Sequence, residues 1–152
     1  MTDDQSWKEE GIEIYAMYWR LIALAVHRYG SAPSGQMLTV LTLLLLDRVD
    51  HHPTVGELAQ ITRLPKSTVS RYVSTEMSCG HLEEKIDPND RRRRLLYPTS
   101  KAREEQRWHQ GQVREIAEQT AVAISGNDSQ SDSARRLIEV LMGFTKDEES
   151  NR

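Results

Sequence analysis

A chain of 152 residues, 38% hydrophobic and 28% charged, has room for one domain with a real core. Its longest apolar run lies within 37–46, well short of the roughly 20 residues that cross a bilayer, and the acidic opening Met1-Thr2-Asp3-Asp4-Gln5 has no signal-peptide pattern, so a cytoplasmic protein is expected. A lone cysteine, Cys79, excludes an intrachain disulfide, and the net charge of −3 argues against nucleic acid until its distribution is counted.

In chain order, Ile14, Tyr18, Leu21, Ile22, Ala25 and Tyr29 recur at helical spacing and predict a first helix over 7–29. Gly30-Ser31-Ala32-Pro33-Ser34-Gly35 breaks it. A second helix over 36–48 is apolar nearly all round, as a buried central helix would be. Asp50-His51-His52-Pro53 ends it, and Thr54-Val55-Gly56-Glu57 is a capping box, in which hydroxyl and carboxylate each satisfy the other residue's backbone N–H. The short helix it opens should turn Leu58, Ala59 and Ile61 inward. After a turn at 62–65, a helix over 66–79 carries Val69, Val73 and Met77 at i, i+4 and i+8, and Gly80 suits the left-handed position past its end.

Residues 82–86 and 93–97 read as strands of a hairpin, turning at 87–90. Thr99-Ser100 can cap a long helix over 101–124 with Trp108, Val113, Ile116, Ala117 and Ile124 on its apolar side. A Ser/Asp-rich linker at 125–133 precedes a last helix striped with Ala134, Leu137, Ile138, Leu141, Met142 and Thr145, and a frayed tail from Lys146. The fold class is therefore mainly α with a small β-hairpin wing: a winged helix-turn-helix of about six helices in a single domain, 1–152.

Charge segregates on this frame. Between Ile61 and Arg103 there are 10 Lys/Arg against 5 acids, so the middle is basic and the remainder acidic. The second helix of the helix-turn-helix offers Lys66, Ser67, Thr68, Ser70 and Arg71 near its N-terminus, with no acid over 61–75. Small donors and cations of this kind let a helix sit in the DNA major groove and meet phosphates or base edges. The hairpin carries Asp90-Arg91-Arg92-Arg93-Arg94. Asp90 is placed to brace the Arg92 guanidinium for the minor groove, with Arg91 and Arg94 facing phosphates.

The quoted residues resemble the MarR family of bacterial transcriptional regulators. The likeness rests on Val55-Gly56-Glu57-Leu58-Ala59 and on Leu64-Pro65-Lys66-Ser67-Thr68-Val69-Ser70-Arg71-Tyr72-Val73. It continues through Gly80, Asp87-Pro88-Asn89-Asp90-Arg91-Arg92 and Leu96-Tyr97-Pro98-Thr99-Ser100-Lys101-Ala102. The resemblance implies a DNA-binding module over 36–100 and dimerisation helices at 7–29 and 101–145. It also implies a homodimer on a pseudo-palindromic double-stranded operator, usually repression, and often release when a small phenolic or other aromatic ligand, an oxidant or a metal is sensed. The chain departs from the family pattern in two places: Glu76 and His81 stand where apolar residues are usual, which predicts a junction between helix and wing repacked by one residue, and Arg93 and Arg94 make the wing more basic than usual.

Other readings are weaker. Tyr15, Tyr18, Trp19 and Trp108 are candidates to line an aromatic ligand site, although aromatics at helical spacing are more often plain core. His51-His52 with His27, His81 and His109 have no metal-ligand spacing, Cys79 reads as structural, and no cofactor is implied. No nucleophile–base set or phosphate loop appears, so catalysis is not expected. The rival to a regulator is a winged-helix interaction module whose basic face meets an acidic protein.

Overall fold

The computed structural model describes residues 11–124 and 130–149. Eight elements follow in order: α1 Ile12–Tyr29, α2 Ser34–Asp47, α3 Val55–Thr62, α4 Lys66–Ser78, β1 Leu82–Ile86, β2 Arg94–Pro98, α5 Ser100–Ile124 and α6 Gln130–Glu149. The elements are those the sequence predicts, with boundary differences. The predicted start of the first helix at 7–10 and the linker core at 125–129 lie outside the described residues. The rest of that linker, 130–133, is the first turn of α6, and the predicted frayed tail is helical to Glu149. Among the described residues, no helix is long and apolar enough to cross a membrane. The described backbone divides into two compact units, one within 1–30 and 110–152 and the other within 31–109.

The unit at 31–109 is built around Leu43, Leu58, Val69, Val73, Leu82 and Leu96, with Leu46, Val55, Ala59 and Leu64 packed at their margin. The capping box at its entrance forms as predicted: the Glu57 N–H donates to Thr54 Oγ1 at 3.2 Å and the Thr54 N–H to Glu57 Oε2 at 3.4 Å. Leu58 is fully buried, but Ile61, predicted inward, is 51% exposed. Met77 is likewise exposed, whereas Glu76 is half-buried. At 100° per residue, i+8 stands 80° past two full turns from Val69 and i+7 only 20° short of them, so the inward row runs 69, 73, 76. The second helix also differs from expectation. Only Thr39 and Leu43 are fully buried, while Leu38, Leu41 and Leu45 face outward.

The strands pair antiparallel with Glu84 opposite Leu96, placing Leu82, Leu96 and Pro98 on the core face. The Leu96 N–H donates to the Pro53 carbonyl at 2.9 Å, so the segment before α3 lies along β2. A chain of polar contacts ties this corner down. Arg103 Nε and Nη2 donate to Asp47 Oδ2 and Oδ1 at 3.0 and 2.9 Å, His52 Nε2 lies 3.3 Å from Asp47 Oδ1, and the His52 ring stacks on Tyr97 at 3.9 Å. The Arg103 guanidinium holds the Asp47 carboxyl below its ordinary pKa, against the opposing effect of burial. A carboxyl depressed on folding contributes stability that is complete above its unfolded pKa and lost as pH falls through the folded value. Acid unfolding of this unit is therefore expected to draw on Asp47 below about pH 4. In Arg103→Gln the midpoint of a circular-dichroism acid titration should move to higher pH, and an unmoved midpoint would remove Asp47 from the account.

In the unit formed by 1–30 and 110–152, α1 covers its own chain with Ala16, Arg20, Ala23, Leu24 and Ala25, and α5 contributes Ile116 and Thr120. Arg20 is 5% exposed; its Nη1 donates to Thr120 Oγ1 at 3.0 Å and its Nη2 to Gln119 Oε1 at 2.8 Å. The predicted inward row fares unevenly. Ala25 is buried and Leu21 half-buried, but Ile14, Tyr18, Ile22 and Tyr29 are exposed. The helix is apolar on two sides, and its small residues, which permit close approach, take the covered one.

Candidate nucleic-acid interface

The second helix of the helix-turn-helix, α4, presents Lys66, Ser67, Ser70 and Arg71 to solvent, with Thr68 half-buried and Val69 and Val73 anchoring the opposite side. Pro65 stands at its N-cap, and the turn before it is closed by Arg63 in a left-handed conformation, φ 56°. Neither Lys66 nor Arg71 is in an ion pair among the described residues. The helix ends as predicted at Gly80, φ 79°: the Gly80 N–H donates to the Met77 carbonyl at 3.0 Å and the His81 N–H to the Glu76 carbonyl at 2.9 Å, closing a Schellman motif. Lys101 Nζ adds a cationic cap on the Cys79 carbonyl at 2.8 Å.

The two departures at the junction meet each other. His81 Nδ1 lies 2.8 Å from Glu76 Oε2, and Gln36 Nε2 donates to Glu76 Oε1 at 2.6 Å. A polar bridge from α2 through α4 to the first wing residue replaces the expected one-residue repacking. An acid at 76 and an imidazole at 81 are compatible because each satisfies the other in a half-buried site.

The wing loop runs over 87–93, longer than the predicted turn, and so takes three of the four Arg into the loop. Asp90 does not brace the Arg92 guanidinium. Its Oδ1 accepts the Arg92 backbone N–H at 3.0 Å, and its carbonyl accepts the Arg93 N–H at 2.9 Å. A short Asp side chain reaches the amide two residues on more readily than a long guanidinium folds back to it. Asp87 acts similarly on Asn89 N–H at 2.9 Å. The four Arg then divide. Arg91 and Arg92 are exposed with no ion pair among the described residues; Arg94, on β2, pairs with Glu84 at 3.3 Å. Arg93, not among the predicted site residues, pairs with Glu57 at 2.7 Å and Asp87 at 3.3 Å. The capping box was the one available signal for the Glu57 end of that link; nothing in the sequence marks its partner.

Tyr15, Tyr18 and Trp19 lie exposed on one face of α1, whereas Trp108 is half-buried and belongs to the unit at 31–109. Among the described residues no group of three or more His, Cys, Asp or Glu could hold a metal, and Cys79 is exposed.

Residues 37–93 match the model of the MarR family. A comparison with curated protein sequences gave no significant match. Among solved structures, an S. aureus MepR variant bound to an oligodeoxyribonucleotide is similar with a TM-score of 0.61 at 17% identity, covering 97% of this chain and 98% of its own. A transcriptional regulator from Thermotoga maritima gives 0.55 at 24% identity, covering 97% and 96%. A probable transcriptional regulator from Pseudomonas aeruginosa gives 0.51 at 22%, covering 87% and 96%. The chain has the fold of these regulators, and its segment 37–93 is similar to the MarR family.

Proposed function

We propose that this chain is a homodimeric transcriptional regulator that binds a pseudo-palindromic double-stranded operator, represses from it, and is released by a small ligand. One observation carries the DNA-binding part. Within one compact unit, an acid-free helix face bearing Lys66, Ser67, Ser70 and Arg71 accompanies a hairpin loop whose Arg91 and Arg92 have no acidic partner among the described residues. Cations left unpaired on an acidic protein are where a polyanion would bind. The MepR variant solved with an oligodeoxyribonucleotide supports the same reading.

Support for the dimer comes from α1. Ile14, Tyr15, Tyr18, Trp19 and Ile22 are all between 43% and 75% exposed, an apolar face of the kind a second copy would cover. Two-fold symmetry would then set half-sites about one helical turn, ~34 Å, apart. MepR has also been solved bound to ethidium bromide, which supports the binding of a small ligand. Tyr15, Tyr18 and Trp19, exposed together on α1, are the candidate contacts for such a ligand, each to be tested singly.

The deciding experiment is a gel shift with the DNA upstream of the chain's own gene. Specific binding that survives competitor DNA is the expected result; weak, sequence-blind binding would favour an interaction module instead. Arg92→Ala should weaken binding and reduce the slope of log K against log salt by about one. Unchanged binding by this variant would sink the groove-probing role of the wing.

A further inference from the structure

Resting on the DNA-binding reading, we infer that Arg93 is a positioning residue: clamped by the Glu57 carboxylate, it fixes the wing against α3 so that Arg91 and Arg92 reach DNA together with α4. The carboxylate is shared between two tasks. Glu57 Oε2 accepts the Thr54 N–H at 3.4 Å and lies 3.4 Å from His51 Nε2, while Oε1 accepts Arg93 Nη2 at 2.7 Å. The other end of the guanidinium, Nη1, donates to Asp87 Oδ2 at 3.3 Å, and Asp87 is only 6% exposed. The Arg93 backbone closes the loop as well, its carbonyl accepting the Asp87 N–H at 3.0 Å and its N–H donating to Asp90 at 2.9 Å. One side chain thus joins both ends of the wing loop to the helix 36 residues earlier that precedes the recognition turn.

Arg93 is set apart from its neighbours by this. Two acids neutralise it, so it offers phosphates little charge, whereas Arg91 and Arg92 have no such partner among the described residues. A planar guanidinium suits the clamp because its fixed fork can hold two carboxylates at once. Its effect on DNA is therefore conformational: it limits where the loop tip can stand relative to Lys66 and Arg71.

Glu57→Gln tests the inference by sign. Glutamine also serves in a capping box, so the helix start is kept, while one acid is removed from a DNA-facing module. Charge alone predicts tighter binding. The clamp predicts a loss of about three- to fivefold, the scale of an exposed ion pair, with the salt slope unchanged. Arg93→Gln should lose a similar factor, also without change in slope, and the double variant should be no weaker than either single one. Binding by Glu57→Gln at or above the wild-type level would overturn the inference, as would a slope reduced by about one in Arg93→Gln, the mark of a direct phosphate contact. Amide hydrogen exchange over residues 88–92 without DNA gives a second readout, expected to be faster in both single variants. Unchanged exchange would overturn the clamp by itself, whereas failure of the wild-type protein to bind DNA specifically would overturn the DNA-binding reading instead.

Discussion

Leu58→Ala is expected to lower the unfolding free energy of the unit at 31–109 by about 3–4 kcal/mol. Leu58 is fully buried on the first helix of the helix-turn-helix, in one cluster with Leu43, Val69, Val73, Leu82 and Leu96. Truncation there removes the transfer free energy of the lost atoms and leaves a cavity whose walls come from two further helices and both strands. Such walls relax little, because moving one of them disturbs the rest. Ile61→Ala provides the contrast. The sequence pattern treats both residues as inward, yet Ile61 is half exposed, and its loss should be below about 1 kcal/mol. Urea titrations followed by circular dichroism would measure both, with the midpoint shifting and the slope constant. Equal losses at the two positions would mean that the core does not close around Leu58.

Arg71→Ala is expected to weaken operator binding about tenfold or more and, unlike Arg92→Ala, to relax base preference. Arg71 is exposed at the sixth position of α4, one residue from Ser70, and its charge is in no ion pair among the described residues. A side chain placed there can reach base edges, where two parallel donors distinguish guanine from the other bases. A wing arginine that meets phosphates or the narrow minor groove lowers affinity for every sequence more evenly when removed. Competition against operators substituted one base pair at a time separates the two roles. Uniform weakening of all of them by Arg71→Ala would reassign the residue to the phosphate backbone.

Much of the fold is legible in local patterns because the forces that write it are local. The capping box at Thr54 and Glu57 and the left-handed Gly80 depend on backbone groups a few residues away, and both form as read. The hairpin strands were recognisable from a turn flanked by apolar residues, though the loop between them proved longer. Periodicity failed where a helix has more than one apolar side. On α1 it could not tell that Ala16, Ala23 and Leu24 are covered by the same chain while Ile14, Tyr18 and Ile22 are left outside. On α2 it read burial all round where Leu38, Leu41 and Leu45 are exposed.

The candidate interface divides in the same way. The basic, acid-free face at Lys66–Arg71 is a property of residue types at helical spacing and is legible along the chain. The same holds for the four cations in the wing and for the likeness of 37–93 to the MarR family. Which of those cations keep no acidic partner among the described residues follows from contacts that only folding creates. Arg93 meets Glu57 from 36 residues away, Arg94 meets Glu84 across the hairpin, and Asp90 spends its carboxylate on a backbone amide. Glu76 and His81, two oddities in the linear pattern, became a satisfied pair once the Schellman turn brought them together. The physical reason is range: propensity and charge pattern act along the chain, whereas ion pairing acts across whatever distance folding has closed.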